Sequence, residues 1–336
     1  MKSYLQKLAK GIDLTADEAK KAMEICLSAK ATDAEIAAFL TALHMKGESI
    51  DEIYGSAVAI QAEASQIHPD ADKFIDIVGT GGDYTNSFNI STTASIIIAA
   101  AGLKVAKHGN RSVSSKSGAG DVLEALGVKI DLEPANVEAC INETDFGFMF
   151  SPVFNKTVRN LRRIRKELGF ETILNILGPM SNPSRAKYML YGVYDKKYVK
   201  PLADVLLRMG AVHAMVVSAE DGMDEITNTG MTYVAEVRYG EVIEYTLKPA
   251  QFDIERAELT DIIGGDGYRN ADIARSVLSG EEHGAKRDIV LMNAGAALYI
   301  GGKAPSIDEG IVMAGRLIDD GSALKKLEQI IEITNK

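Results

Sequence analysis

Along the first 65 or so residues, apolar positions recur at the spacing of a single helix face, with Ile36, Phe39, Leu40 and Leu43 at i, i+3, i+4 and i+7. Three helix starts are marked by a hydroxyl followed three residues on by a glutamate: Thr15 with Glu18, Thr32 with Glu35, Ser49 with Glu52. In each pair the hydroxyl takes an early helix amide and the glutamate returns the bond, which is a capping box. The pattern predicts four short helices. So few residues make a thin core, and their apolar stripe is expected to bury against the rest of the chain or a second subunit.

After "SQIHPDAD", read as a linker, short apolar runs begin to alternate with helical stretches from Phe74 onward. "FIDIV" and "LKVAKHG" read as strands, "TTASIIIAAAG" and "AGDVLEALG" as helices ending at Gly102 and Gly127. Further strands are expected at "YMLYGVY", "AVHAMVVSA", "MTYVAEVRYG" and "EVIEYTL", the last two as a hairpin, and the chain from "NADIARSVLSG" to the end reads as helical. The fold class is therefore α/β: a small N-terminal helical domain over 1–70, joined by helices from about 155–185, and a large α/β domain over 71–336. A central, mostly parallel sheet flanked by helices is expected in the large domain. No internal repeat is present.

Charge narrows the partners. An excess of 47 Asp and Glu over 37 Lys and Arg gives a net charge of −10, which opposes attraction to nucleic acid or anionic membrane. A small phosphorylated ligand stays compatible, because backbone amides, a few cations or a metal dominate locally. Cys26 and Cys140 show neither disulfide nor zinc spacing. "MKSYLQKLAKGIDL" has no signal-peptide core and the apolar run at 96–103 is too short to span a bilayer, so a cytoplasmic location is expected.

In open α/β sheets ligands gather beyond the carboxyl ends of the strands, and three stretches belong there. "GTGGD", from Gly79, with "NIST", from Asn89, combines glycines that permit close approach to an anion with hydroxyls and helix amides that donate to phosphate. It lacks the lysine of a P-loop, and by itself also reads as a tight turn with an ordinary cap. "KHGNRSVSSKSG", from Lys107, concentrates cations and serines after the next strand; standing alone it reads as a solvated loop. "EDGMDEIT" carries the adjacent carboxylates Asp224 and Glu225, a hard-cation pair beside a phosphate site and otherwise an acidic turn. His44, His68, His213 and His283 read as structural or solvated, and no serine or cysteine stands in a nucleophile context.

"GTGGD", "NIST", "KHGNRSVSSKSG", "DGMDEI" and "GAKRDIVLMNAGAALYIGGKA", in this order over nearly the whole chain, resemble the anthranilate phosphoribosyltransferase family. The resemblance implies a type III phosphoribosyltransferase fold, a homodimer, and transfer of phosphoribose from phosphoribosyl pyrophosphate to the amine of anthranilate in tryptophan biosynthesis. It assigns Gly79, Gly82, Asp83, Ser87, Asn89, Ile90, Ser91, Thr92, Lys107, Asn110, Ser114 and Ser115 to the donor. It assigns Gly79, His108, Asn110 and Arg165 to the acceptor, the arginine pairing with its carboxylate, and Ser91, Asp224 and Glu225 to two Mg²⁺ ions. No residue is implied as a general base, so catalysis is electrostatic and by positioning.

The chain departs from the family pattern at three places. Ala119 in "KSGAGD" stands where a serine is usual, "NKTVR" at 155–159 replaces "HPAMK", and Glu171 in "LGFET" replaces an arginine. Two of the three lie on the acceptor side. Arg159, Arg162 and Arg163 follow closely and could compensate or form an exposed helix face. A different aromatic acceptor and a non-catalytic donor-binding homologue are the alternative readings.

Overall fold

The computed structural model describes residues 1–336 except 29, 83–84, 113–115 and 158, and of 159, 160 and 162 the backbone alone. The helical unit consists of α1 (Lys2–Leu8), α2 (Ala16–Leu27), α3 (Asp33–Lys46) and α4 (Ile50–Glu63). All three predicted capping boxes are formed, at Thr15, Thr32 and Ser49. The larger part begins with β1 (Phe74–Gly79), α5 (Ile90–Ala100), β2 (Lys104–Gly109), α6 (Ala119–Ala125), α7 (Pro134–Thr144), β3 (Phe146–Phe150) and α8 (Ser151–Phe154). It continues through α9 (Arg159–Leu168), α10 (Ile173–Met180), β4 (Tyr188–Gly192), α11 (Val199–Arg208), β5 (His213–Ala219), β6 (Thr232–Arg238) and β7 (Glu241–Leu247). Four helices follow toward the C-terminus: α12 (Gly267–Leu278), α13 (Ala285–Ile300), α14 (Ile307–Asp319) and α15 (Ser322–Thr334).

Among the described residues, seven strands form one sheet in the order β3-β2-β1-β4-β5-β6-β7. The first five run parallel and the β6–β7 hairpin is antiparallel, as expected from its sequence. The sequence pattern did not indicate β3. "FGFMF" is buried at every position, so it carries no alternation to distinguish it from its helical surroundings.

Two apolar layers cover the sheet. On one face Ile75, Ile77, Val105, Met215 and Val217 pack with α5, α13 and the terminal helices. On the other, Met189, Tyr191, Ala214, Val216 and Val237 join α10 and α11 in a core continuous with Phe39, Leu40 and Leu43. The stripe read from the sequence is thus covered within the same chain. Leu161 and Ile164 of α9 and Ile173 and Leu177 of α10 belong to this second core.

Strand β1 lies between β2 and β4, so successive units add to the sheet in opposite directions on its two sides. This is the switch point at which an α/β sheet opens a crevice beyond its strand ends. Gly79, ending β1, pairs in register with Gly192, ending β4.

Candidate active site

The two glycines at the switch point make room for one carboxylate. A Cβ on Gly79 would stand 2.2 Å from Asp224 Oδ2, and one on Gly192 would stand 1.6 Å from the Asp224 carbonyl oxygen. The loop after β5 therefore drops directly onto the ends of β1 and β4. Gly81 N donates to Asp224 Oδ2 at 2.6 Å, from a left-handed backbone at φ 66° that glycine adopts without strain. Thr80 N donates to the Gly192 carbonyl at 3.0 Å, which ties the turn to β4.

Glu225 turns the other way, toward the start of α5. Ser91 N donates to Glu225 Oε1 at 3.1 Å, so this early helix amide is engaged by a protein carboxylate. The Ile90 amide is likewise taken, by the Phe88 carbonyl at 2.8 Å, and the Ile90 and Thr92 side chains are buried. The helix N-terminus is thus less available to an anion than "NIST" suggests. Lys107, at only 1% exposure, lies beneath the site; its Nζ donates to the Ile77 carbonyl and approaches Ser91 Oγ at 3.5 Å.

Asp76, Asp224 and Glu225 all act electrostatically on the Lys107 ammonium, three carboxyl groups around one amine. Burial, reinforced by Asp224, pushes the Glu225 carboxyl up to about 8. Burial also raises Asp76 to about 6, against the pull of Lys107 and the hydrogen bond from Asn182, and pulls Lys107 below the usual lysine range. A divalent cation would favour the ionised form of both carboxyls after β5. The available donors, Asp224, Glu225 and the Ser91 hydroxyl, are hard oxygen ligands suited to Mg²⁺. Among the described residues no three His, Cys, Asp or Glu side chains cluster as a complete metal cage, so a cation here would complete its shell with water or ligand oxygens.

Asn89 locks the neighbouring loops together. Its Oδ1 accepts from Ser117 Oγ at 3.1 Å and from Asn270 Nδ2 at 2.8 Å. The segment after β2 is folded onto α6, whose Asp121 carboxylate accepts from the amides of Ser112 and Gly118, each at 2.8 Å. Asn110 Oδ1 accepts from the Arg111 amide at 2.8 Å, and Ser87 forms a bridge with Ile263. The cations of this segment do not converge as its composition suggests. Lys107 is buried at the end of a strand, whereas Arg111 is paired with Glu124 at 2.8 Å and lies over the Phe150 ring.

His108, the next residue of β2, is also buried and has both ring nitrogens engaged. One bonds the Gly178 carbonyl and Nε2 accepts from Asn155 Nδ2 at 3.0 Å, while burial pushes the imidazole down to about 4. A neutral, fully bonded imidazole is a scaffold and not a proton carrier. Asn155 is buried, and among the described residues its Oδ1 has no hydrogen-bond partner. Arg165 is half-buried on α9, which packs on α2 and α3, and Arg163 pairs with Asp33 and Glu167 on the exposed side. Glu171 reaches the glycine turn, its Oε1 standing 3.8 Å from where a Cβ on Gly82 would be, and bonds the Tyr194 phenol.

The structure therefore groups Gly79 with Asp224, and Ser91 with Lys107 and Glu225. Asp83, Ser114, Ser115 and the side chains of Arg159 and Arg162 lie outside the described residues. Sequence reasoning missed Asp76, Asn182 and Gly192. Asp76 accepts from the His108 amide at 3.3 Å and from Asn182 Nδ2 at 2.6 Å, and the signal for it was a lone charge in the apolar strand "FIDIV".

Comparison with known proteins agrees with this architecture. Residues 2–64 match the family model described as the helical bundle domain of the glycosyl transferase family, and residues 71–324 match that family's a/b domain. The anthranilate phosphoribosyltransferase of Acetivibrio thermocellus is 50% identical over 335 residues, covering 100% of this chain and 97% of the relative. The crystal structure of anthranilate phosphoribosyltransferase from Thermus thermophilus superposes with a TM-score of 0.94 at 38% identity, over 99% of each chain. That of Saccharomyces cerevisiae, in complex with PRPP and Mg, superposes with a TM-score of 0.91 at 29% identity, over 99% of this chain and 97% of the other.

Proposed function

From a chain that belongs to the glycosyl transferase family in both its helical bundle and its a/b domain, and within it to the anthranilate phosphoribosyltransferases, we infer the reaction and the residues that carry it. The enzyme transfers the phosphoribosyl group of phosphoribosyl pyrophosphate to the amine of anthranilate, a step of tryptophan biosynthesis. The C1–O bond to pyrophosphate breaks, the amine nitrogen bonds C1, and the nitrogen gives up one proton to solvent.

One observation carries the site assignment. Asp224 and Glu225, beside Ser91 and the Gly79 turn, set two carboxyl groups against the single amine of Lys107 at the switch point where a donor would lie. Mg²⁺ bound there would neutralise charge growing on the departing pyrophosphate. The glycine turn from Gly79 to Gly82 lets the donor approach the backbone closely, and Lys107 orients Ser91 from below. Asp83, Ser87, Asn89, Asn110, Ser114 and Ser115 complete the donor assignment, with Thr92 contributing through its backbone and Ile90, its own amide taken by the Phe88 carbonyl, by anchoring the start of α5. His108 serves the acceptor side as a neutral wall, and Arg165 pairs with the anthranilate carboxylate. No side chain need act as a general base on a weakly basic aromatic amine.

Dependence on two Mg²⁺ ions, a cytoplasmic location and a homodimer are parts of the same reading. Exposed Ile12, Met45 and Ile50 on the helical unit support dimerisation through it. The division at residue 70, with the helices near 155–185 joining the helical unit, is supported by the core that α9 and α10 share with it. Mixing the protein with anthranilate, phosphoribosyl pyrophosphate and Mg²⁺ is expected to quench anthranilate fluorescence and release pyrophosphate in equal amount. Asp224→Ala with Glu225→Ala should abolish both while the circular dichroism stays native. Normal turnover in that double variant overturns the metal assignment; no quenching by the wild type overturns the acceptor.

A further inference from the structure

Away from the switch point, a second buried carboxylate serves no step of the transfer. Glu236 lies on β6 opposite Met215 of β5, four residues before the end of the strand that leads to the Asp224 loop. Its Oε1 accepts from His213 Nε2 at 2.7 Å and from Tyr299 Oη at 2.9 Å, and its Oε2 accepts from Tyr245 Oη at 2.8 Å. Arg238 stands behind, bonding the Tyr299 hydroxyl. Against the burial that would raise it, hydrogen bonds from His213 and the two phenols hold the Glu236 carboxyl below the usual range. Four elements thus cooperate to keep one charge in place, although an apolar set of similar volume would often serve the fold as well.

Glu236 also lines an open cleft of about 500 Å³ between the β6–β7 hairpin, the end of α13 and the start of α14. Its other sides include Leu247, Phe252, Pro305 and Ile307, the rings of Tyr245 and Tyr299 join the floor, and Asp308 stands at the rim. Among the described residues no Lys, Arg or His side chain lines it. Asp308 and Glu309 fill the first turn of α14, so the helix end offers an anion little attraction. Glu236 Oε2, with one phenol on it, retains capacity for another donor.

We propose that this cleft binds a small organic ammonium ion, its nitrogen donating to Glu236 Oε2 and its apolar body packing on Leu247 and Phe252. The Tyr245 ring adds cation–π attraction, whereas the Tyr299 ring already carries Arg238 at 5.1 Å. The site is separate from the transfer centre, and its test does not depend on the reaction assigned above.

Benzylammonium and its neutral counterpart benzyl alcohol are the probes, titrated into the full chain at pH 7 by calorimetry or ligand-observed NMR. Benzylammonium is expected to saturate in the low millimolar range, as its size allows. Benzyl alcohol should bind at least about tenfold more weakly, because it brings no charge to the carboxylate. Glu236→Gln should remove that preference. Asp308→Lys, an exposed change outside the hydrogen-bond network, should weaken the ammonium alone about fivefold or more, which keeps the test decisive if Glu236→Gln unfolds the chain. Equal affinity for the two probes, absence of saturable binding, or a charge preference unmoved by Asp308→Lys overturns the proposal.

Discussion

Replacing Gly79 by alanine separates the site from the fold. The added Cβ would lie 2.2 Å from Asp224 Oδ2, whereas ordinary contact begins near 3.4 Å, so the carboxylate must retreat by about 1.2 Å. Metal–oxygen distances tolerate about 0.2 Å, and a misplacement of about 1 Å at a reacting centre costs about a hundredfold in rate. The predicted loss in kcat/KM for the donor is therefore about 10²-fold, or roughly 2.7 kcal/mol of transition-state stabilisation, with a raised Mg²⁺ requirement. The atoms it meets first are the end of a side chain, with the Asp224 backbone oxygen next at 3.2 Å, so the melting temperature should move by about 1 °C. Gly192→Ala is the contrasting case, since its Cβ would meet the Asp224 backbone carbonyl at 1.6 Å and no rotamer change relieves that. It should lose about 3 kcal/mol of stability, or roughly 4 °C in Tm for a chain of this length, besides its activity. The assay is anthranilate fluorescence at varied donor and Mg²⁺, with thermal melts alongside. Gly79→Ala enzyme within threefold of wild type at unchanged Mg²⁺ dependence refutes the reasoning.

Other perturbations probe separate parts of the account. Lys107→Met removes the buried ammonium facing Asp76, Asp224 and Glu225, and should destabilise the fold by about 3 kcal/mol while sharply weakening donor binding; an unchanged melt would contradict this. Glu171→Gln takes a negative charge from the glycine turn, and at an effective separation of about 8 Å should lower the donor KM about fivefold at low salt, with kcat held; no change in KM counts against the placement. Arg165→Ala should raise the anthranilate KM at least about tenfold and spare the donor KM, a split readable from initial rates. Glu236 has a depressed folded pKa, so its stabilisation is present above the unfolded value of 4.5 and is lost as pH falls through the folded value. Wild type should therefore exceed Glu236→Gln in Tm at pH 7, and the gap should close below pH 4.5; a constant gap contradicts the ionised network.

The helical unit was legible because its signals are local: a hydroxyl and a glutamate three residues apart decide a helix start wherever the chain later packs. The strands with polar punctuation were equally clear, and β3 was not, since a strand covered on both faces reads as continuous apolar sequence. The same distinction runs through the site. "GTGGD" and "MDEI" announce backbone approach and paired carboxylates in their own residue types. What they could not convey is that Gly79 and Gly192 are emptied for Asp224, or that Glu225 takes the Ser91 amide, because these contacts join residues far apart in the chain. Lys107 read as lying at the end of the strand "LKVAKHG" and heading the basic segment after it; its burial was not legible, because only the sheet order places three carboxyl groups around it. The surroundings of His108 were the least legible, because His108, Asn155 and Gly178 come together from separate parts of the chain.

The most direct test of the central claim, that the carboxylates after β5 hold the cation of the donor against the Gly79 turn, is a crystal structure with phosphoribosyl pyrophosphate and Mn²⁺, read by anomalous scattering. The predicted result is anomalous density with oxygens of Asp224 and Glu225 at about 2.1–2.2 Å or one bridging water away, and the pyrophosphate over residues 79–82. Metal and pyrophosphate bound elsewhere, with Asp224 still turned onto Gly81, would contradict it.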